Sequence, residues 1–238
     1  MAYKNKKVFI TGASRGIGNA LAKAFAEKGA VVFGTCTKKI NTPHYFCEDL
    51  FVADFNDLEQ IKECAAKLGK IKPDILINNA GINKISPFVD ILPEDFLSIQ
   101  QVNVLAPFML CQAAIPSMKK KKCGRIINIS SIWGKISKEH RASYSSSKFA
   151  LDGMTLALAA EHTADGIIAN CIAPGFFDTE LTRKILGEDG MHSIANTVPI
   201  RRIGQISEIT RLVLWLASEE NTYIAGQNIA IDGGFTRV

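Results

Sequence analysis

Several features that would assign a chain to a special class of protein are missing from these 238 residues. No apolar run approaches the roughly 20 residues that a membrane-spanning helix needs, and the basic N-terminal segment has too short an apolar core for a signal peptide. The six cysteines contain no C-x-x-C pair and the four histidines are scattered, so neither a disulfide framework nor a zinc site is expected. These absences favour a cytosolic protein with reduced thiols and no metal.

The sequence also lacks a flexible linker, a shift in composition and an internal repeat, which favours a single domain over residues 1–238. Short apolar segments alternate with segments of helical periodicity, a pattern typical of an α/β fold with a doubly wound parallel sheet and helices on both faces. The stretch "CTKKINTPHY", which contains Pro43, has no helical period and predicts an irregular connection. Strands are predicted at 7–11, 30–35, 73–78, 124–130, 167–173 and 227–232, and helices at 17–29, 56–69, 103–118, 144–163 and 207–218.

Charge is modest, with a formal net charge of +5 and one concentrated run of lysines, Lys119–Lys122. Such a run is typical of a solvated helix end, where lysines also favour the negative end of the helix dipole. No DNA- or RNA-reading module accompanies it, so nucleic-acid binding is not expected. An acidic protein or a phosphorylated substrate remains a possible partner for this run.

The glycine-rich stretch "TGASRGIG" follows the first predicted strand and opens the first predicted helix. Gly12 would permit a tight turn, Gly16 would let the backbone approach a phosphate, and Gly18 would allow close packing of helix on strand. Amides at the helix N-terminus would then face a pyrophosphate. A glycine triplet alone is a weak signal that a structural turn would also explain, but the strand–turn–helix context favours dinucleotide binding.

Four further motifs follow in a fixed order: "NNAG" at 78–81, "SS" at 130–131, Tyr144-x3-Lys148, and "PG" at 174–175. With the glycine turn, they resemble the short-chain dehydrogenase/reductase family from about residue 6 to the C-terminus. The resemblance implies a Rossmann-like fold and an oxidoreductase that moves a hydride between a nicotinamide cofactor and a carbonyl or hydroxyl carbon.

The resemblance also implies a catalytic set of Asn103, Ser131, Tyr144 and Lys148. Tyr144 would exchange a proton with the substrate oxygen, and because a free phenol titrates near ~10, Lys148 and the positive nicotinamide ring would have to favour the phenolate. Ser131 would hold the substrate oxygen and stabilise its developing charge. Asn103 would fix a water that links Lys148 to solvent.

A wider set of residues is expected to frame the cofactor. By resemblance, Asp54 and Phe55 would contact the adenine, although a helix-capping role is an alternative for Asp54. Phe177 and Thr179 would orient the carboxamide. The complete expected set is Gly12, Ser14, Arg15, Gly16, Ile17, Gly18, Thr37, Asp54, Phe55, Asn79, Ala80, Gly81, Tyr144, Lys148, Pro174, Gly175, Phe177 and Thr179.

The end of the second predicted strand favours NADP(H) over NAD(H). An NAD enzyme usually places an acidic residue there to bind the ribose diol, whereas this chain reads "GTCTKK". Arg15 lies in the glycine turn, and Thr37, Lys38 and Lys39 follow the strand. Cations are therefore available for a 2′-phosphate, and no carboxylate repels it.

The substrate is less well specified. Overall the chain looks most like the bacterial 3-oxoacyl-(acyl-carrier-protein) reductases, with a lid over the substrate at about 178–200 and the Lys119–Lys122 run as a dock for an acidic carrier protein. The segment "INKISPF" after "NNAG" is closer to sugar and polyol members, and Asp165 stands where those reductases tend to carry a base. We expect reduction of a 3-oxoacyl thioester, with a sugar or polyol dehydrogenase as the alternative and a non-catalytic regulatory protein as a third possibility.

Assembly is predicted from two helices, 103–118 and 144–163, that are too apolar to leave a face in water. By family resemblance they would pack against their counterparts in another subunit, and Phe235 near the chain end would contribute to a second interface. Two such two-fold interfaces give a homotetramer. Asn103 and Tyr144 are both expected to begin helices of this interface.

Overall fold

The core of the molecule is one seven-stranded parallel sheet, seen in a computed structural model that describes residues 3–39 and 46–237. Its strand order is β3-β2-β1-β4-β5-β6-β7. The expected α/β architecture is therefore confirmed, including six predicted strands, while β3 was not assigned from the sequence. The strands are β1 Lys7–Ile10, β2 Val31–Cys36, β3 Asp49–Val52, β4 Ile75–Asn78, β5 Gly124–Ile129, β6 Ile167–Pro174 and β7 Asn228–Ile231.

Helices cover both faces of the sheet, and alternation along β1 shows why. Val8 and Ile10 point into a cluster with the helix residue Leu21, whereas Phe9 between them packs with Ile61 and Leu110 on the other face. The interior strand β1 is thus buried on both faces, as is typical of parallel sheets. The helices are α1 Gly16–Glu27, α2 Leu58–Ile71, α3 Pro93–Gln100, α4 Ala106–Lys121, α5 Ala142–His162, α6 Glu180–Thr197 and α7 Ile206–Leu216.

One prediction is wrong about where a helix begins. The segment that contains Asn103 does not start a helix, because a short helix, α3, precedes it and a π-helical turn at Gln101–Leu105 joins α3 to α4. Asn103 lies inside that turn and is 1% exposed. Turns of this kind insert an extra residue into a helix and recur at functional sites.

A chain of buried polar side chains crosses the sheet beneath its carboxyl edge. The Asn78 side-chain amide donates to Asn128 Oδ1 at 2.8 Å, and Asn128 donates to Thr155 Oγ1 at 2.8 Å. Thr155 in turn donates to the Leu151 carbonyl of its own helix at 2.8 Å. Hydrogen bonds between buried polar groups are directional, so this chain fixes α5 relative to β4 and β5.

Two findings concern the described residues only. None of their helices is long and apolar enough to cross a membrane, and they contain no group of three or more His, Cys, Asp or Glu side chains placed to hold a metal ion. The predicted irregular connection around Pro43 falls mostly outside the described residues.

Candidate active site

Each of the three glycines in the turn between β1 and α1 meets a different structural requirement. Gly12 has a φ of +66° and Gly16 a φ of +54°, both in the left-handed region that favours glycine. A Cβ on Gly18 would stand 2.1 Å from the Gly12 carbonyl oxygen, whereas a Cβ on Gly16 would meet nothing within 4 Å. Gly18 therefore serves close packing, and Gly16 borders open space.

The backbone amides in the first turn of α1 lack the side-chain cap that usually satisfies the start of a helix. Arg15 is the N-cap residue and its side chain does not cap the helix, and the first turn contains no acidic residue. Uncapped amides and the positive end of the helix dipole suit an anion. Together with the open space at Gly16, this geometry fits a dinucleotide pyrophosphate.

A threonine and an asparagine hold the turn against the loop after β4. Thr11 Oγ1 accepts hydrogen bonds from the backbone amides of Asn79 and Ala80, both at 2.9 Å. The Asn79 side chain donates to the carbonyls of Thr11 at 2.9 Å and Gly12 at 3.2 Å. The Asn79 amide group is thus engaged in bracing the glycine turn, while its predicted place beside the cofactor ribose stays a prediction.

The π-helical turn presents the Asn103 side chain to the same loop. Asn103 Oδ1 accepts from the Ile82 amide at 2.9 Å, and Nδ2 donates to the Ile82 carbonyl at 2.9 Å and to Ser147 Oγ at 3.0 Å. A Cβ on Gly81 would lie 3.3 Å from Asn103 Oδ1 and 3.5 Å from Lys148 Nζ. Gly81 therefore brings the backbone close to two residues of the predicted catalytic set.

Lys148 is a buried cation on α5, and only 3% of it is exposed. Its Nζ donates to the Ile129 carbonyl at 2.9 Å and lies 5.6 Å from the centre of the Tyr144 ring. Spacing of four residues thus places ammonium and phenol on one helix face, as predicted. Burial lowers the pKa of Lys148 to about 8, so the side chain is still mostly charged at neutral pH.

Tyr144 reaches back to Ser131 at the end of β5. The Trp133 amide donates to Ser131 Oγ at 3.2 Å. Burial raises the pKa of Tyr144, and the nearby Ser131 hydroxyl and the positive charge of Arg141 only partly oppose it. Without a nicotinamide ring, burial favours the neutral phenol. The expectation that Lys148 and that ring together favour the phenolate stays a prediction.

The residues predicted to contact the adenine lie after β3. Asp54 Oδ1 accepts from the Asn56 amide at 3.0 Å and from the Asn56 side chain at 3.1 Å, and Phe55 is buried. The capping alternative for Asp54 is excluded, because Asp57 is the residue that caps α2. Asp54 therefore retains its predicted role as a proposal.

The "PG" segment closes the other side of the site. Pro174 ends β6, and a Cβ on Gly175 would stand 2.9 Å from the Asp232 Cα, so only glycine allows these strand ends to approach. Phe177 is buried and its backbone bridges Gly204. Thr179 caps α6 by accepting from the Thr182 amide at 3.1 Å.

The remaining predicted contacts lie at the same edge of the sheet. Ser14 and Ile17 are half-buried in the glycine turn and first turn of α1, and Arg15 and Thr37 are exposed. Because the carboxyl ends of parallel strands share one edge, the predicted residues converge on the crevice beside β1 and β4.

Sequence reasoning missed an aromatic wall beside Ser131. The rings of Trp133, Phe176 and Phe235 are mutually edge-to-face, with centres 6.4, 6.1 and 5.2 Å apart. The signal that the sequence offered for this wall was that Trp133 and Phe176 lie close along the chain to "SS" and "PG". The Phe235 ring packs within this chain, and its expected contribution to a subunit interface stays a prediction.

The Lys119–Lys122 run lies at the opposite edge of the sheet. Lys119 pairs with Asp165 at 2.9 Å, and Lys121 pairs with Asp74, just before β4, at 2.6 Å. Two of the four lysines are thus engaged in ion pairs near the amino ends of the strands. The run is therefore not part of the site described above.

Comparison with known proteins identifies the family. Residues 12–236 match the model for the family described as enoyl-(acyl carrier protein) reductase. The 3-oxoacyl-[acyl-carrier-protein] reductase FabG of Salmonella typhimurium is 36% identical over 247 aligned positions that cover all of both chains. The chain belongs to the short-chain dehydrogenase/reductase family. It is an enzyme of that family.

Solved structures agree on the fold and differ in activity. A short chain dehydrogenase/reductase family protein is 29% identical with a TM-score of 0.91, covering 100% of both chains. A 4-hydroxyisoleucine dehydrogenase complexed with NADH is 33% identical with a TM-score of 0.91, covering 98% of this chain and 100% of its own. A putative gluconate 5-dehydrogenase from Beutenbergia cavernae with bound NADP is 29% identical with a TM-score of 0.91, covering 99% and 98%.

The buried ammonium of Lys148 generates a stability prediction. With a folded-state pKa of about 8 against an ordinary value of 10.5, the native protein binds fewer protons than the unfolded chain between those values, so this group adds stability as pH rises through that window. Replacing Lys148 by methionine removes the penalty on the charged form and also removes one hydrogen bond worth about 1 kcal/mol. On balance, Lys148→Met should raise the free energy of unfolding by ~2–3 kcal/mol at pH 7.

Urea unfolding at pH 7 and pH 10 measures this effect. The advantage of Lys148→Met should shrink toward zero at the higher pH, where the wild-type lysine is neutral. Lys120→Met, at an exposed lysine of α4, is the matched control and should show no such pH dependence. A variant that is less stable than wild type at both pH values would contradict the prediction.

Proposed function

We propose that this chain is an NADP(H)-dependent reductase that converts a ketone to a secondary alcohol. The observation that carries the proposal is the convergence of Ser131, Tyr144 and Lys148 beside a glycine turn suited to a pyrophosphate. The nicotinamide cofactor, when bound, supplies the hydride. We assign the remaining chemistry to these side chains.

Tyr144 would donate its phenolic proton to the carbonyl oxygen as the carbon is reduced. Burial keeps the phenol protonated, as the acid role requires, and the nearby Lys148 would have to offset the weaker acidity that the raised pKa implies. Ser131 would hold the carbonyl oxygen and stabilise its developing negative charge. Lys148 would stabilise the phenolate left after proton donation, and the Asn103 side chain would fix the loop at Ile82 beside it.

A non-catalytic regulatory role is less well supported than an enzymatic one. Lys148 is charged and buried, and burying an ammonium is costly unless something depends on it. Binding a cofactor alone does not require a phenol and an ammonium on one helix face. A role in acid–base chemistry would explain why the chain bears the free-energy cost of a buried ammonium.

The choice of NADP(H) rests on the charge at the end of β2. Arg15 is exposed at the start of α1, and Lys38 and Lys39 are exposed after the strand. The Ala13 amide donates to the Thr35 carbonyl at 2.9 Å, which holds the glycine turn against this strand end. Three cations, in the turn and just after the strand, would thus be available to a 2′-phosphate where an NAD enzyme usually presents a carboxylate.

The first candidate substrate is a 3-oxoacyl thioester. Full-length similarity to FabG at 36% identity supports it. The basic run that we expected to dock an acidic carrier protein supports it less, because Lys119 and Lys121 are already paired with carboxylates. Reduction of acetoacetyl thioesters on coenzyme A and on acyl carrier protein tests this candidate directly.

A second candidate is a small hydroxy or oxo acid, within the sugar and polyol group of dehydrogenases. Both the 4-hydroxyisoleucine dehydrogenase and the gluconate 5-dehydrogenase that resemble this chain are named for substrates that carry a carboxylate. The specific observation that favours this candidate is a half-buried arginine, Arg141, which has no ion-pair partner among the described residues.

We also propose that the chain assembles into a homotetramer. On α5 the side chains of Phe149 and Leu156 are 47% and 52% exposed, and Phe108 of α4 is 44% exposed. Exposed apolar faces on adjacent helices are unusual for a monomer. Pairing of these faces around a two-fold axis would cover them, and a second two-fold interface closes the assembly.

The catalytic proposal predicts the behaviour of Tyr144→Phe. The variant should lose at least ~10²–10⁴-fold of its turnover, because it cannot transfer a proton, and should bind NADPH nearly as well as wild type. Steady-state NADPH oxidation and fluorescence titration measure the two effects. Tyr223→Phe, at a tyrosine that is 97% exposed, is the control and should be silent. Near-normal turnover in Tyr144→Phe would refute the assignment.

The cofactor proposal predicts tighter binding of NADPH than of NADH. Arg15→Ala should weaken NADPH binding by roughly ten-fold, since a charge-assisted contact with phosphate is worth about 1.5–3 kcal/mol when well formed, and should leave NADH binding almost unchanged. Calorimetric titration with NADPH and with NADH measures the difference between the two affinities. Arg211→Ala, on the exposed side of α7, is the control. Equal affinity of the native protein for NADH would sink the proposal.

The assembly proposal predicts a tetrameric mass at micromolar concentration. Phe149→Asp places a charge in the proposed interface, so it should yield smaller species with lower activity. Sedimentation velocity of both proteins tests this, with Tyr223→Asp as the control for adding a charge to an exposed aromatic position. An active wild-type monomer would overturn the proposal.

A further inference from the structure

Arg141 is a cation without a partner at the edge of the candidate site. It precedes α5 as the N-cap residue, three positions before Tyr144, and is half-buried. Its Nε is buried and makes no hydrogen bond. Among the residues that the structure describes, no carboxylate lies within ion-pair distance of it.

Several other arginines in the described part of the chain have partners in the protein. Arg183 forms two hydrogen bonds with Asp178, and Arg202 forms two with Glu208. Arg125 donates to backbone carbonyls from both Nε and Nη2. These comparisons show that the lack of a partner is particular to Arg141 among the partly buried arginines.

Leaving a guanidinium partly desolvated and unpaired carries a free-energy cost. Burial lowers the pKa of Arg141, which reports the same penalty on its charged form. A guanidinium stays charged in proteins and offers five N–H donors in a planar fork that matches carboxylate and phosphate oxygens. An anion supplied from outside the chain would remove the penalty.

Arg141 lies beside the reacting centre. It is the residue just before α5, three positions before Tyr144. Its positive charge is close enough to the Tyr144 phenol to oppose the rise in the pKa of Tyr144 that burial causes. The Arg141 carbonyl accepts from the Ser145 amide at 2.7 Å, which anchors the backbone at this position.

We propose that Arg141 binds an anionic oxygen group of the substrate, a carboxylate or a phosphate carried two or three bonds from the reacting carbon. The proposal rests on the oxidoreductase function proposed above and chooses between its two candidate substrates. A thioester offers only a neutral carbonyl oxygen at that distance, whereas an oxo acid offers a charged, bidentate acceptor. Arg141 is thus a specificity-determining residue, distinct from Tyr144, which would transfer the proton, and from the cofactor, which would supply the hydride.

Matched pairs of ketones test this inference. Acetoacetate and methyl acetoacetate differ in a carboxylate, dihydroxyacetone phosphate and dihydroxyacetone differ in a phosphate, and acetoacetyl coenzyme A represents the thioester. The wild-type enzyme should have a higher kcat/KM for the anionic member of at least one pair. Arg141→Gln should lower that value about 10- to 100-fold, the range expected for hydrogen bonds to a charged group, and change the neutral member less than about 3-fold.

Two further variants separate charge from structure. Arg141→Lys keeps the charge without the planar fork, so it should restore part of the preference for the anionic member. Lys138→Gln removes an exposed cation from the same loop and should leave every ketone unaffected. A preference within the acetoacetate pair would assign the bound anion as a carboxylate, and a preference within the dihydroxyacetone pair would assign it as a phosphate.

Anion binding provides a readout that does not need turnover. Succinate and inorganic phosphate are titrated calorimetrically into the protein with NADPH, and at least one should bind wild type and lose affinity at least ten-fold in Arg141→Gln. Equal losses for charged and neutral ketones, or no anion preference together with no anion binding, would overturn the inference. If no ketone in the panel is reduced, the proposed function fails, and the calorimetry still decides the role of Arg141.

Discussion

The hydrogen bond from the Lys148 ammonium to the Ile129 carbonyl is the contact on which the candidate site depends. It joins the first turns of α5 to the end of β5, the two elements that contribute Tyr144 and Ser131. Backbone and hydroxyl contacts reinforce the same junction, since Ser130 Oγ donates to the Lys148 carbonyl at 3.3 Å. Because a buried ammonium without an acceptor would be very costly, this side chain adds strongly to the contacts that specify the position of the helix.

The opposite side of Lys148 is shaped by the π-helical turn and the loop after β4. The extra residue of the turn aims Asn103 at the backbone of Ile82, so a bulge in one helix orders a loop from another part of the fold. Asn103 also donates to Ser147 Oγ, and Ser147 donates to the Tyr144 carbonyl at 2.7 Å. The same asparagine therefore positions both the loop and the helix that carries the phenol.

Periodicity and motif order were enough to predict the sheet and the placement of Tyr144 beside Lys148, because both follow from local spacing. The π-helical turn was not predictable, since nothing in "QVNVL" distinguishes it from an ordinary helical turn and its stability comes from contacts distant in sequence. Acidic residues near α2 were ambiguous for a similar reason, and only the structure shows that Asp57 is the cap. The pKa of Tyr144 depends on burial, which no spacing reveals.

Lys148 and Arg141, the two cations near the Tyr144 phenol, differ in how the fold holds them. This difference separates a role in catalysis from a role in substrate recognition. Lys148 is buried and its ammonium is held by a carbonyl of the sheet, so its position is set by the fold itself. Arg141 stands outside the sheet, at the start of α5, with its Nε unsatisfied. A change at Lys148 removes the hydrogen bond between α5 and β5, whereas a change of the Arg141 side chain breaks no hydrogen bond or ion pair found among the described residues. Residues of the second kind are free to differ between relatives that keep the same reaction, which is how one fold can serve several substrates.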